Sequence, residues 1–147
     1  MNLFCSKVNK NTIMPFTKIV LIYLLTAVVF FIIDILWIGF IANGMYDKWI
    51  GHLRGEVNWY AAMIFYSIFI MGILFYGVFP GLERESVQHA LMYGALFGFF
   101  TYATYDLTNL ATLKDWPVQM VIVDMLWGVF LSSSVSVAGF YIAKLVI

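Results

Sequence analysis

Four long apolar runs separated by short polar links make up most of the chain. The first runs from about Ile19 to Ala42, with Tyr23, Thr26 and Asp34 as its polar side chains, and the second from Trp59, just behind Asn58, to Phe79. The third covers about Ala90 to Leu110, and the fourth starts at Pro117 and ends near Ala143. A helix needs about 20 mostly apolar residues to cross roughly 30 Å of hydrocarbon, so each run reads as a span. Pro80-Gly81 reads as a stop signal after the second run, and Pro117 stands at a favoured first helical position. The pattern therefore predicts an all-α integral membrane bundle of four transmembrane helices (19–42, 59–79, 90–110 and 117–143). It also predicts one domain over residues 18–147, with residues 1–17 expected to be a poorly ordered extension. Links as short as 43–58, 80–89 and 111–116 make consecutive helices antiparallel neighbours.

Composition agrees with that pattern and narrows the function. Of 147 residues, 63% are apolar and 11% charged, against roughly 25% charged in soluble domains. Eight basic and eight acidic residues cancel, which excludes nucleic-acid binding driven by net positive charge. Cys5 stands alone, so neither an internal disulfide nor a cysteine-rich metal site is available. The run after Lys18 is too long for the core of a signal peptide and has no small-residue cleavage site; it reads as a retained span, with Met14 as an alternative start. Lys7, Lys10, Lys18, Arg84 and Lys144 fall on one side of the predicted bundle, and Lys48, Arg54 and Lys114 on the other. Basic residues favour the cytoplasmic side, which places both termini there.

Three acids lie inside the spans: Asp34, Asp106 and Asp124. An ionisable group in a bilayer costs about 2.5–3.5 kcal/mol on insertion scales and normally faces the bundle interior. Asp34 lies eight residues before Ala42, Asp106 eight before Lys114, and Asp124 seven after Pro117 on a helix running the other way. With a rise of 1.5 Å per residue, each sits roughly 10–12 Å below the same non-cytoplasmic face. Around them, Gly94, Gly98, Tyr102, Tyr105, Asp106 and Asn109 share a face of the third span, and Asp124, Trp127, Gly128, Ser132 and Ser136 a face of the fourth. The GxxxG pair and the small-xxx-small seam allow close helix approach. A D-x-L-W string occurs twice, at Asp34 to Trp37 and Asp124 to Trp127. On antiparallel helices this sends one tryptophan toward the outer surface and the other toward the midplane. No Lys or Arg lies at that depth, so at least one carboxyl is expected to be neutral and hydrogen-bonded to Tyr102, Tyr105, Asn109 or another Asp. The residues leave open a structural polar knot, a proton or ion relay, an oxygen-ligated cation, and a ligand or catalytic site.

Other candidates are weaker. His52 and His89 fall at opposite ends of the bundle and read as interfacial residues, so no metal site is assigned and no cofactor is identified. Trp49, Trp59, Tyr60, Tyr76 and Trp116 suit the headgroup belt. The link from Met45 to Asn58 mixes Trp49, Ile50 and Leu53 with Lys48, His52 and Arg54, which fits an amphipathic helix roofing the Asp layer. No phosphate loop, nucleophile elbow, zinc-helix or dinucleotide motif is present.

The strings D-x-L-W-x-G-F-I-A (Asp34 to Ala42), G-H-L (Gly51 to Leu53), V-N-W-x-A-A (Val57 to Ala62), Y-G-A-L-F-G (Tyr93 to Gly98), T-Y-A-T-Y-D-L-T-N-L-A-T-L (Thr101 to Leu113) and V-D-x-L-W-G (Val123 to Gly128) resemble a bacterial family of small predicted membrane proteins of unknown function. The resemblance runs from about residue 18 onward. It implies a four-span protein of the bacterial inner membrane and marks Asp34, His52, Asn58, Trp59, Asp106, Asn109, Asp124 and Trp127, without supplying a reaction. With Trp37, Tyr102 and Tyr105 from the helix faces, these are the candidate site residues. The leading expectation is an accessory, assembly or small-ligand and lipid-binding protein in the bilayer, as a homo-oligomer or within a larger membrane complex. The alternatives are an enzyme acting on a lipid-like substrate, with Asp106 and Asp124 as acid and base tuned by Asp34, and a proton or ion pathway.

Overall fold

The computed structural model describes residues 14–147, so the expectations that fall on residues 1–13, Cys5 among them, lie outside the described residues. Five helices account for most of the rest: α1 (Phe16–Ile41), α2 (Asn43–Ile50), α3 (Trp59–Glu83), α4 (Val87–Thr112) and α5 (Val118–Val146). No strand occurs among the described residues. Three helices, α1, α3 and α5, are long and apolar enough to cross a membrane. The fourth long helix, α4, has 26 residues, but its Gln88, His89, Asp106, Asn109 and the threonines between them dilute its apolar character.

The bundle is built around α5. Helix α4 packs along it in the most extensive pairing of the fold, and α1 and the second half of α3 cover the rest. Ile22 and Phe30 of α1, Ile70 and Ile73 of α3, and Leu131 and Val135 of α5 are essentially inaccessible and form the core. The outer surfaces stay apolar, with Leu24, Ile35, Ile64, Phe100 and Leu126 all more than half exposed or close to it. A surface this continuous in large apolar side chains suits lipid rather than water.

The close approach of α4 to α5 depends on two glycines. A Cβ placed on Gly98 would stand 2.6 Å from the Gly128 carbonyl carbon and 2.7 Å from Ser132 Oγ. One on Gly94 would meet Ser136 Cβ at 2.7 Å and the Ser132 carbonyl oxygen at 2.8 Å. The reversals between helices are tight. The α3–α4 and α4–α5 turns take Glu85 and Asp115 through left-handed backbone, at φ 50° and 61°.

Four local features differ from the sequence expectation. Pro80-Gly81 does not stop the second run. The chain widens into a π-helical turn at Leu74–Val78, so Pro80 falls in the first turn of the resumed helix Phe79–Glu83, where its missing N–H costs nothing. Pro117 caps α5 from outside rather than occupying its first position. The link between α1 and α3 is helical only over Asn43–Ile50, followed by a 3₁₀ turn Gly51–Leu53, because Gly51 and Gly55 interrupt it. Trp116 is buried beneath α2 with Met120 and Val121, against Tyr46, Trp49 and Ile50, instead of standing in an interfacial belt. Trp59 and Tyr60 are 71% and 79% exposed and suit that belt.

Candidate functional site

Asp34, Asp106 and Asp124 are all buried, at 4%, 0% and 6% exposure. Each is served differently. On α1, the Asp34 carboxylate accepts a hydrogen bond from the Tyr66 hydroxyl of α3 at 3.0 Å. On α5, Asp124 Oδ1 accepts from the Tyr46 hydroxyl at 2.6 Å, and that hydroxyl in turn accepts from Trp37 Nε1 at 3.3 Å. On α4, both carboxylate oxygens of Asp106 are buried without a partner among the described residues, within electrostatic reach of Asp124. The Tyr46 phenol, carried by α2, is pushed above the usual tyrosine range. Burial is the main cause and the bond to Asp124 adds to it. It therefore stays protonated and keeps donating.

The tyrosines that serve the carboxylates are Tyr46 and Tyr66. Tyr102, Tyr105 and Asn109, expected in that role, make no hydrogen bond to a carboxylate among the described residues. Tyr102 instead packs its ring over Gly128, and Tyr105 meets Trp116 edge-on at 6.1 Å. The two D-x-L-W tryptophans do not diverge. Trp37 and Trp127 stack at 4.3 Å with an 8° interplanar angle. Helical side chains lean toward their own N-terminus, so on antiparallel helices the two indoles lean toward each other and close the axial gap. Trp37 also opens a second π-helical turn, Trp37–Ile41, of the kind that often marks functional positions.

The remaining candidates lie away from this layer. His52 is exposed in the 3₁₀ turn. Asn58 caps α3, its Oδ1 accepting from the Ala61 N–H at 3.1 Å, and the neighbouring Trp59 faces outward. His89, at the other end of the bundle, lies 3.3 Å from the Arg84 guanidinium. Among the described residues no three His, Cys, Asp or Glu side chains are placed to ligate one metal ion.

Nothing in the apolar pattern of the sequence announces a lateral cleft. The first half of α3 makes few contacts with α4 and α5, and the two helices part to leave a cavity of about 690 Å³. Phe65, Ile68, Phe69 and Gly72 line it from α3, and Phe97, Thr101, Tyr102 and Tyr105 from α4. At its floor is Asp124. The wall residues Phe65, Ile68 and Tyr105 are 50%, 61% and 56% exposed, so the cleft opens sideways, through the apolar surface of the bundle. Beyond the stacked pair Tyr76 and Phe97, with ring centroids 5.5 Å apart, a groove of about 650 Å³ continues along α4 past Tyr93, Leu96 and Phe100. The arrangement can take an apolar chain from the side and bring one polar group to a carboxylate.

No curated protein and no solved structure matches the chain. The family described as "Predicted membrane protein (DUF2177)" matches residues 19–141, and the chain belongs to that family of membrane proteins of unknown function.

Proposed function

We propose that the protein is a four-span bundle of the bacterial inner membrane with both termini cytoplasmic. In this reading it binds a lipid-like amphiphile in the α3–α4 cleft and presents it to a partner as an accessory or assembly factor. The 26 residues of α4 extend about 39 Å, antiparallel and in close contact with α5, which supports a fourth span. The observation that carries the binding reading is the cleft, open on the apolar side of the bundle and floored by Asp124. Its volume lies within the roughly 300–1,000 Å³ of small-ligand sites, and its make-up, mostly apolar walls with a few polar groups of which one is a carboxyl, is theirs too.

The same facts weigh on the alternatives. A general acid and base pair would need both carboxylates at the substrate, and only Asp124 lines the cleft. A polar pathway would continue past Ser132, Ser136 and Thr26, which are inaccessible. There the glycines of α4 press on the serines so closely that no Cβ fits.

The test is labelling by photoreactive hexadecanol of the protein in phosphatidylcholine nanodiscs. Adducts are expected on Phe65, Ile68 and Phe97, and Ile68→Trp, which fills the cleft from an exposed position, is expected to remove them without lowering the unfolding temperature. Adducts spread evenly over the lipid-facing residues, or unchanged by Ile68→Trp, contradict the reading.

A further inference from the structure

We infer that the polar end taken by the cleft is a protonated amine on a single apolar chain, an alkylammonium amphiphile held at Asp124. The inference rests on the binding reading above and names its ligand class.

Charge is the first argument. The polar floor of the cleft is a carboxylate, with a second, Asp106, within electrostatic reach behind it. Lys48, Arg54 and Lys114 are exposed in the links at the α2 end, and Arg84 and Lys144 are exposed at the opposite end. An anionic headgroup at the floor would meet acids and no base, whereas a cation meets its complement.

Open valence is the second. Asp124 Oδ1 is occupied by Tyr46, whereas no hydrogen bond reaches Oδ2 among the described residues. Asp106 is completely buried with both oxygens unpartnered among the described residues, and buried polar atoms in that state are costly unless satisfied. A donor arriving at Asp124 supplies positive charge to both. An ammonium brings three N–H donors and no acceptor, which suits a floor of acceptors.

The walls are the third. The rings of Phe69, Phe97 and Tyr102 surround the approach to Asp124, and aromatic faces attract a desolvated cation. One slot between two helices, continued by the groove beyond Tyr76, accommodates one chain.

The experiment is competition against the photoreactive hexadecanol of the preceding section, in phosphatidylcholine nanodiscs at neutral pH. Unlabelled hexadecylamine, hexadecanol and hexadecyl phosphate serve as competitors. A charge-assisted hydrogen bond is about twice as strong as a neutral one, so hexadecylamine is expected to compete at about tenfold lower concentration than hexadecanol, and the phosphate worst. Asp124→Asn should erase the advantage of the amine over the alcohol. If that variant does not fold, Asp106→Asn, which leaves the cleft lining intact, should reduce the advantage severalfold. Equal competition by amine and alcohol, a preference for phosphate, or an amine advantage that survives the substitutions overturns the inference while leaving amphiphile binding intact. Loss of cleft labelling in the unmodified protein removes the binding reading beneath it as well.

Discussion

Gly98→Ala tests the packing that sets the Asp layer in place. The added methyl would lie 2.6 Å from the Gly128 carbonyl carbon and 2.7 Å from Ser132 Oγ. Carbon atoms pack best at roughly 3.5–4.0 Å, so α4 and α5 must separate by about 1 Å. The nearest atoms are α5 backbone, which cannot swing aside as a flexible side chain would. Overpacking of this kind costs about 1–3 kcal/mol, and each kcal/mol lowers the midpoint by about 2–4 °C in a chain of this size. Thermal unfolding in detergent, followed by tryptophan fluorescence, reads the effect. Gly44→Ala is the matched control: its Cβ meets nothing within 4 Å, and replacing a helical glycine gains up to about 1 kcal/mol. A Gly98→Ala protein as stable as the Gly44→Ala control would refute the packing argument, because no other route lets α4 carry Asp106 and Tyr102 to their places.

Two further outcomes follow from the same geometry. Tyr46→Phe removes the donor to Asp124 and the acceptor for Trp37, and should cost about 1–3 kcal/mol, since it leaves a buried carboxylate oxygen short of a partner; an unchanged midpoint would show that α2 does not engage the layer. A double-mutant cycle of Trp37→Leu and Trp127→Leu should return a coupling of about 0.5–1.5 kcal/mol for the stacked pair, and strictly additive effects would show that the rings do not meet.

The sequence revealed depth far better than rotation. The position of a residue along a helix axis is its count from the end multiplied by a fixed rise, which is why Asp34, Asp106 and Asp124 are expected at one depth. Which face a helix turns inward is normally shown by an apolar stripe opposite a polar one. Helices α1 and α3 are apolar nearly all round, so nothing in the pattern announced that Tyr66 faces Asp34. Tyr66 lies eight residues past Asn58 and so near the depth expected for the acids, but depth alone does not say which way its ring turns. Tyr46 was hidden because α2 is short and its docking depends on the tertiary cluster around Trp116, Met120 and Val121. The π-helical turn at Leu74–Val78 was hidden for a related reason, being a shift in hydrogen-bond register that leaves the apolar pattern unchanged. The cleft is set by where α3 and α4 part, a property of packing between helices distant in sequence.

The account centres on Asp124 as the carboxylate that meets the polar end of an amphiphile entering from the side. The infrared difference spectrum of the protein in phosphatidylcholine nanodiscs, before and after addition of hexadecanol, reads that contact directly. The account predicts a carboxyl difference band that disappears in both Asp124→Asn and Ile68→Trp; no band, or the same band in Asp124→Asn, would contradict it.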